Sequence, residues 1–282
     1  MISIGLDIGG STTKVIGFQG KELLKYTMVK AGDAITATYG GIGKFLSINE
    51  LKLEDVETIY MTGVGSSHIK NEILGIKTET VNEFTALGLG GLYLSALDEA
   101  IVVSMGTGTS IVSANERGSQ HIIGSGVGGG TLMGLSKAIL QISDFALISE
   151  LADKGSLQNI DLTIGDMSNE AIGHLTADVT ASNFGKMNDN HSPEDIARAI
   201  VNLVFQSVGT TAILVSRLEK QEDIVFVGSL LRMKSGRETL QAFAKLYKKN
   251  ILVPEKAEFS TAIGAALSGL TYEGERWKDE NR

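Results

Sequence analysis

Near the start of the chain, two apolar runs flank an acid, two glycines, three hydroxyl residues and a lysine: Asp7, Gly9, Gly10, Ser11, Thr12, Thr13 and Lys14. A chain reversal needs only the glycines. Hydroxyls, closely approaching backbone amides and an ammonium together can satisfy the oxygens of a phosphate, and only glycine brings the backbone near without a Cβ in the way. Asp7, at the end of the first run, is then placed to hold Mg²⁺ directly or through water, because magnesium favours a carboxylate plus phosphate oxygens and keeps several waters. A second turn, Gly106-Thr107-Gly108-Thr109-Ser110, carries the same chemistry, and the pair Gly228-Ser229 closes a third apolar run. No GxxxxGK[ST] string occurs, so the turns do not form a P-loop. A nucleotide would have to lie between two hairpins.

The elements that position these residues can be read from periodicity. Ile2 to Asp7 and Lys14 to Phe18 predict the strands of a hairpin, Leu23 to Met28 a third strand, and Ala34 to Leu46 a helix. Residues 58–67 read as a short strand ending in a glycine loop, and 81–97 begin extended and become an apolar helix. Residues 99–115 then repeat the opening strand–turn–strand pattern, which signals an internal duplication. A glycine loop at 124–130 runs into an amphipathic helix, and the free amides expected at Gly128 to Gly130 offer a further anion site. Ser192 caps the longest helix, with Pro193, Glu194 and Asp195 suited to its first turn. Its apolar stripe (Ile196, Ile200, Val201, Leu203, Val204, Phe205, Val208) is wider than one buried face requires. The helix is therefore either buried or paired with another chain, and a homodimer is the expectation. Residues 261–270 form a small-residue helix that must pack closely, and the charged tail from Tyr272 frays. No linker interrupts the chain. The boundary between a 1–96 and a 97–282 domain is thus a hinge near residues 95–100.

Composition removes several functions. Of 282 residues, 43% are hydrophobic and 21% charged, ordinary for a globular chain with a sizeable core. The net charge of −8 is interspersed, which argues against a nucleic-acid surface while permitting one local anion pocket. With no cysteine, disulfides, thiolate metal sites, iron–sulfur clusters and a cysteine nucleophile are all excluded. His68, His174 and His191 have no metal-ligand spacing and read as structural or surface residues. No basic n-region precedes an apolar stretch and no long uncharged apolar run follows, so the expectation is a cytoplasmic protein without membrane contact.

Two glycine-hydroxyl hairpins in duplicated halves resemble the actin/hexokinase/Hsp70-like superfamily, whose α/β domains (ribonuclease H-like) grip ATP in the interdomain cleft. Within it, "GLDIGGSTTK", "VNEF", "GTGTS", "GVGGGTLMGL", "QISDF", "NIDL", "VTASNFGK", "FVGS" and "FSTAIGAAL" fall in the order and rough spacing of type II pantothenate kinases. The resemblance runs from Met1 to about Leu270, and "VTASNFGK" after "NIDL" is its most specific string. It implies ATP-dependent phosphorylation of the primary hydroxyl of pantothenate, the entry step to coenzyme A, in a homodimer using Mg²⁺. Glu83 would be the base on that hydroxyl, a role consistent with phosphoryl transfer, where a carboxylate orients the attacking group and takes its proton. ATP contacts would fall on Gly9, Gly10, Ser11, Thr12, Thr13, Lys14, Gly106, Thr107, Gly108, Gly129, Gly130, Thr131, Leu132, Met133, Phe145 and Ser229, with Phe145 against the adenine. Glu83, Thr107 and His121 would meet the acceptor, and Asp7 the metal.

Two departures stand out. His121 occupies the position of an arginine that meets the pantothenate carboxylate in relatives, where a histidine has one donor face and no permanent charge. Thr85 stands where relatives often carry an acid. Three other readings compete: an activator of acyl-CoA dehydratases, a sugar kinase of the same fold, and a nucleotide-binding regulator without catalysis. The activators need a cysteine-ligated cluster, which this chain cannot supply. The sugar kinases typically carry an aspartate base in a later motif, unlike the 159–186 stretch here.

Overall fold

The computed structural model describes residues 2–30, 32–69, 72–168 and 176–272, with side chains to residue 269. His174 and the tail after Tyr272 lie outside them. In β1 (Ile2–Ile8) nearly every residue is buried, the pattern of a strand covered on both faces. It pairs antiparallel with β2 (Thr12–Gln19), setting Asp7 opposite Lys14. The expected third strand is broken in two, β3 (Glu22–Leu23) and β4 (Thr27–Lys30). Between them the backbone of Lys25 leaves the ladder: its N–H donates to Asn49 Oδ1 at 3.0 Å and its carbonyl accepts from Asn49 Nδ2 at 2.9 Å. After α1 (Ala34–Ile48) come β5 (Val56–Thr62), parallel to β1, and β6 (Lys77–Thr80), parallel to β5. Then α2 (Glu83–Ser95) leads away.

The second sheet repeats this plan. β7 (Ala100–Met105) and β8 (Thr109–Asn115) form the hairpin, and β9 (Gly118–Ser125) adds an edge. α3 (Gly129–Leu140) and α4 (Phe145–Lys154) follow, then the small pair β10 (Leu162–Thr163) and β11 (Thr180–Ser182) around α5 (Ile164–Met167). The long α6 (Pro193–Leu218) returns the chain to β12 (Asp223–Val227), parallel to β7; α7 (Lys234–Tyr247), β13 (Asn250–Leu252) and α8 (Ser260–Tyr272) complete it. In each half a hairpin strand has a parallel neighbour, which has another, and a helix follows. Each inner parallel strand ends in a glycine of positive φ, Gly63 (+89°) and Gly228 (+103°), that opens a 3₁₀ turn.

The helices after the two sheets are exchanged. α2 packs against the second sheet, whereas α8 covers the first and crosses α2. Ile16 and Phe18 of β2 are buried by Phe259, Ala262, Ile263, Ala266 and Leu267. The crossing is close enough that a Cβ on Gly90 would run into the Ser260 carbonyl, and one on Gly264 into that of Ala86. The apolar width of α6 is filled within the chain, where it is the central helix of the larger core. That helix has the length and hydropathy of a membrane span, but 67% of the apolar window is buried against its own chain. A stripe this wide is what a helix surrounded on most sides requires.

Candidate active site

Register explains the first cluster. Directly opposed residues of an antiparallel pair project to the same face, and Lys14 Nζ donates to Asp7 Oδ2 at 2.8 Å with both side chains almost buried. The lysine read as a phosphate ligand therefore rests on the carboxylate read as a metal ligand. Behind them Gly63 leaves the room this needs, since a Cβ there would lie 2.9 Å from Asp7 Oδ1. The turn itself closes through Gly9 N–H to the Thr12 carbonyl (3.0 Å), with Gly10 and Ser11 exposed at its tip. Thr12 and Thr13 belong to β2. The Thr13 hydroxyl is fully buried and has no hydrogen-bond partner among the described residues, so it faces the interior and not the turn's open side.

The second turn is tied to the helix after it. Gly106 N–H donates to the Gly108 carbonyl (3.0 Å), Gly129 N–H to Gly106 and Gly130 N–H to Thr107, both at 2.8 Å. This corrects the expectation of free amides. Gly129 to Met133 are the first turn of α3, and its leading N–H groups already bind the phosphate turn's own carbonyls. Thr131 Oγ1 accepts from Gly128 N–H and donates to the Gly126 carbonyl, and Leu132 is wholly buried with its N–H donating to the Gly128 carbonyl at 3.0 Å. The two turns meet at their tips: the hydroxyls of Ser11 and Thr107 are 3.3 Å apart.

Glu83 is the first residue of α2. Asn82 caps that helix, its Oδ1 accepting from Phe84 N–H (2.9 Å) and Thr85 N–H (3.2 Å), which holds the glutamate at the helix mouth. Partial burial, and then the charge of Asp7, push its carboxyl above the usual range, while Lys14 pulls the other way. Glu83 thus shares one field with the Asp7–Lys14 pair. His121, on β9, stacks on Phe84 with ring centroids 4.2 Å apart and planes inclined at 24°, next to Glu83 in sequence. Phe145 begins α4, half-buried against the larger core, and Ser229 begins the 3₁₀ turn after Gly228.

Sequence reading missed a buried hub in the 159–186 stretch. Asp161 is fully buried and has no cation partner among the described residues; Oδ1 accepts from Phe184 N–H (2.9 Å), and Oδ2 from Asn202 Nδ2 (2.8 Å), Asn183 Nδ2 and Thr180 Oγ1 (both 3.3 Å). The strings "NIDL" and "VTASNFGK" were its signal, because they carry Asp161 itself and three of these four partners.

The arrangement can hold a triphosphate between two turns, a cation on Asp7 and an attacking hydroxyl near Glu83. Among the described residues no group of three or more His, Asp or Glu side chains could ligate a metal. One carboxylate beside phosphate oxygens and water nevertheless suits Mg²⁺, which resists full dehydration.

The family model described as Fumble matches residues 3–268. The chain is 30% identical to the type II pantothenate kinase of Bacillus cereus (strain G9842), covering 94% of this chain and 97% of that one. It is 27% identical to that of Staphylococcus aureus (strain MRSA252), covering 95% and 100%. Among solved structures, the activator of the 2-hydroxyisocaproyl-CoA dehydratase from Clostridium difficile with bound ADPNP superposes with a TM-score of 0.67 at 19% identity, over 99% of this chain and 100% of that one. A ROK family glucokinase from Streptomyces griseus in complex with glucose and AMPPNP gives 0.62 at 12% identity, over 97% and 100%. These two share the fold.

Proposed function

The chain belongs to the Fumble family, and from that premise we propose that it is an ATP-dependent kinase that phosphorylates the primary hydroxyl of pantothenate to 4′-phosphopantothenate, the first step of coenzyme A synthesis. The observation that carries the mechanism is Glu83 at the mouth of α2, in the shared field of Asp7 and Lys14 beside two glycine turns that touch. Glu83 orients the acceptor hydroxyl and takes its proton as the new bond to phosphorus forms. The hydroxyls of Ser11, Thr12 and Thr107 and the Lys14 ammonium hold the phosphates. Asp7 would hold Mg²⁺, whose chemistry here is to neutralise charge on the β- and γ-phosphates. Phe145 and Ser229 lie toward the nucleoside, and His121 toward the acceptor's carboxylate.

The test is kcat/KM for pantothenate, pantetheine and a simple sugar. Pantothenate should be preferred, and Glu83→Gln should lose roughly 10²–10⁴ in kcat while still binding ATP. His121→Arg should lower the pantothenate KM about tenfold, about 1.4 kcal/mol, at nearly constant kcat, because a guanidinium keeps the stack on Phe84 and adds a permanent fork. Preference for pantetheine at every pH would overturn the acceptor, and near-normal turnover in Glu83→Gln would remove the base.

We also propose a cytoplasmic homodimer. Its support is what α6 leaves outward, Leu214 and Leu218, 54% and 78% exposed. Sedimentation at micromolar concentration should give about twice 29.9 kDa; a monomer there would count against pairing, as recovery in the membrane fraction would against the location.

A further inference from the structure

The register that sets Asp7 opposite Lys14 continues on the far edge of β2, where β4 lies. There Met28 stands opposite Lys14, and Lys30 opposite Thr12. Opposed residues share a face of the sheet, as do residues two apart along a strand. Asp7, Thr12, Lys14, Met28 and Lys30 therefore project from the same side. Met28 packs under the cluster that α8 builds on Ile16 and Phe18. Lys30 lies one pleat beyond that cover, toward the hairpin tip where Ser11 meets Thr107. It is exposed and makes no ion pair with any described residue. The carboxylate nearest in sequence, Asp33, is engaged elsewhere, capping α1 through Thr36 N–H at 2.7 Å.

Charge gives this position its importance. The Lys14 ammonium touches Asp7, so that pair adds no net charge to the site. A triphosphate carries several negative charges, and the turns offer only the partial charges of amides and hydroxyls. In this row Lys30 is the cation that no carboxylate offsets. Sheet order then says which phosphate it meets. β4, β2, β1, β5 and β6 lie side by side, and beyond β6 the Val81 N–H still donates to the Met61 carbonyl (2.8 Å) before Glu83 opens α2. Lys30 and the base thus stand at opposite ends of the row, with Asp7 between them. In phosphoryl transfer the attacking and leaving oxygens lie roughly in line across phosphorus. A hydroxyl arriving from the Glu83 side drives the leaving oxygen toward the Lys30 side.

We propose that Lys30 is a further nucleotide-binding residue, the cation that holds the β-phosphate and the charge that grows on it as it leaves. The direction of transfer rests on the kinase reading; the β-phosphate contact does not depend on which acceptor is used.

The test is calorimetric titration of ATP, ADP and AMP, with no acceptor present, on wild-type protein, Lys30→Gln and Lys30→Arg. In Lys30→Gln, ATP and ADP should bind about tenfold more weakly, as expected for the loss of one charge-assisted contact. AMP affinity and the melting temperature should stay where they are. Lys30→Arg should recover most of the loss, and added salt should narrow the difference. With pantothenate present, kcat of Lys30→Gln should fall as well, because the lost contact strengthens in the transition state. Three results would overturn the proposal: ADP affinity unmoved by Lys30→Gln, a loss confined to ATP, which would put the lysine on the transferred phosphoryl group, or an equal loss for AMP, which would make it a general attraction for anions. Because binding is read without an acceptor, the kinase reading fails separately. Wild-type protein that binds both nucleotides yet phosphorylates neither pantothenate nor pantetheine would sink that reading and leave the β-phosphate contact standing.

Discussion

Glu83 and Asp7 share one cleft, and the acidity of the first follows from the second. The base works ionised, so a carboxyl raised by burial and by Asp7 loses activity on acidification sooner than an ordinary carboxylate of pKa about 4.3. The acid limb of kcat/KM should therefore lie above that value. Asp7→Asn removes the repulsion and leaves Lys14 free to favour the ionised glutamate, and both effects lower the Glu83 pKa. The limb should move to lower pH while the Mg²⁺ requirement rises. A pH–rate profile and a magnesium titration check this, and an unmoved limb would uncouple the two carboxylates. Most of this cluster was legible, because the residue types that bind phosphate sit in one short string. The Lys14–Asp7 contact was not, since it depends on strand register, and neither was the His121–Phe84 stack, which joins elements far apart in the chain, α2 and β9.

At the scale of elements, the stretch from β10 to β11 is fastened to α6 through one buried polar hub. Asp161 meets only donors, and Thr239 of α7 extends the network by donating to Asn202 Oδ1 at 3.1 Å. Asp161→Asn would turn an amide NH₂ toward those donors, leaving buried groups unpaired. The cost should be roughly 3 kcal/mol or more. Urea unfolding measures it, and a loss under about 1 kcal/mol would mean that water replaces the lost acceptor. Helices and hairpins were readable from periodicity and caps. Two features were not: the break between β3 and β4, made by the side chain of Asn49 just after α1, and the coupling of α3's first amides to the second turn. Both are long-range bonds that no local pattern announces. The width of the α6 stripe was legible, but a stripe does not say whether its cover is the same chain or another.

The whole molecule is two similar halves that have traded a helix. The duplication was visible in the sequence as twin turns, whereas the trade was not, because a small-residue helix shows that it packs closely without showing where. A division after residue 96 would leave α8 in one piece and the sheet it covers in the other. Deleting residues 260–282 should therefore unfold the first half. Ile16 and Phe18 lose their cover and the burial of Ile263 and Leu267 goes with the deleted helix, at about 1.5–3 kcal/mol each, or about 6–12 kcal/mol, comparable with the whole stability of a typical domain. Circular dichroism and hydrogen exchange on the truncated chain check this; a cooperative melt like that of the full chain would contradict it. The exchange also bears on biosynthesis. While the ribosome still holds the C-terminus, the first sheet has one apolar face with nothing to cover it, however long ago its strands emerged. The strands of the first sheet must wait until α8 is made, after the whole of the second sheet, and chaperones have that interval in which to find them.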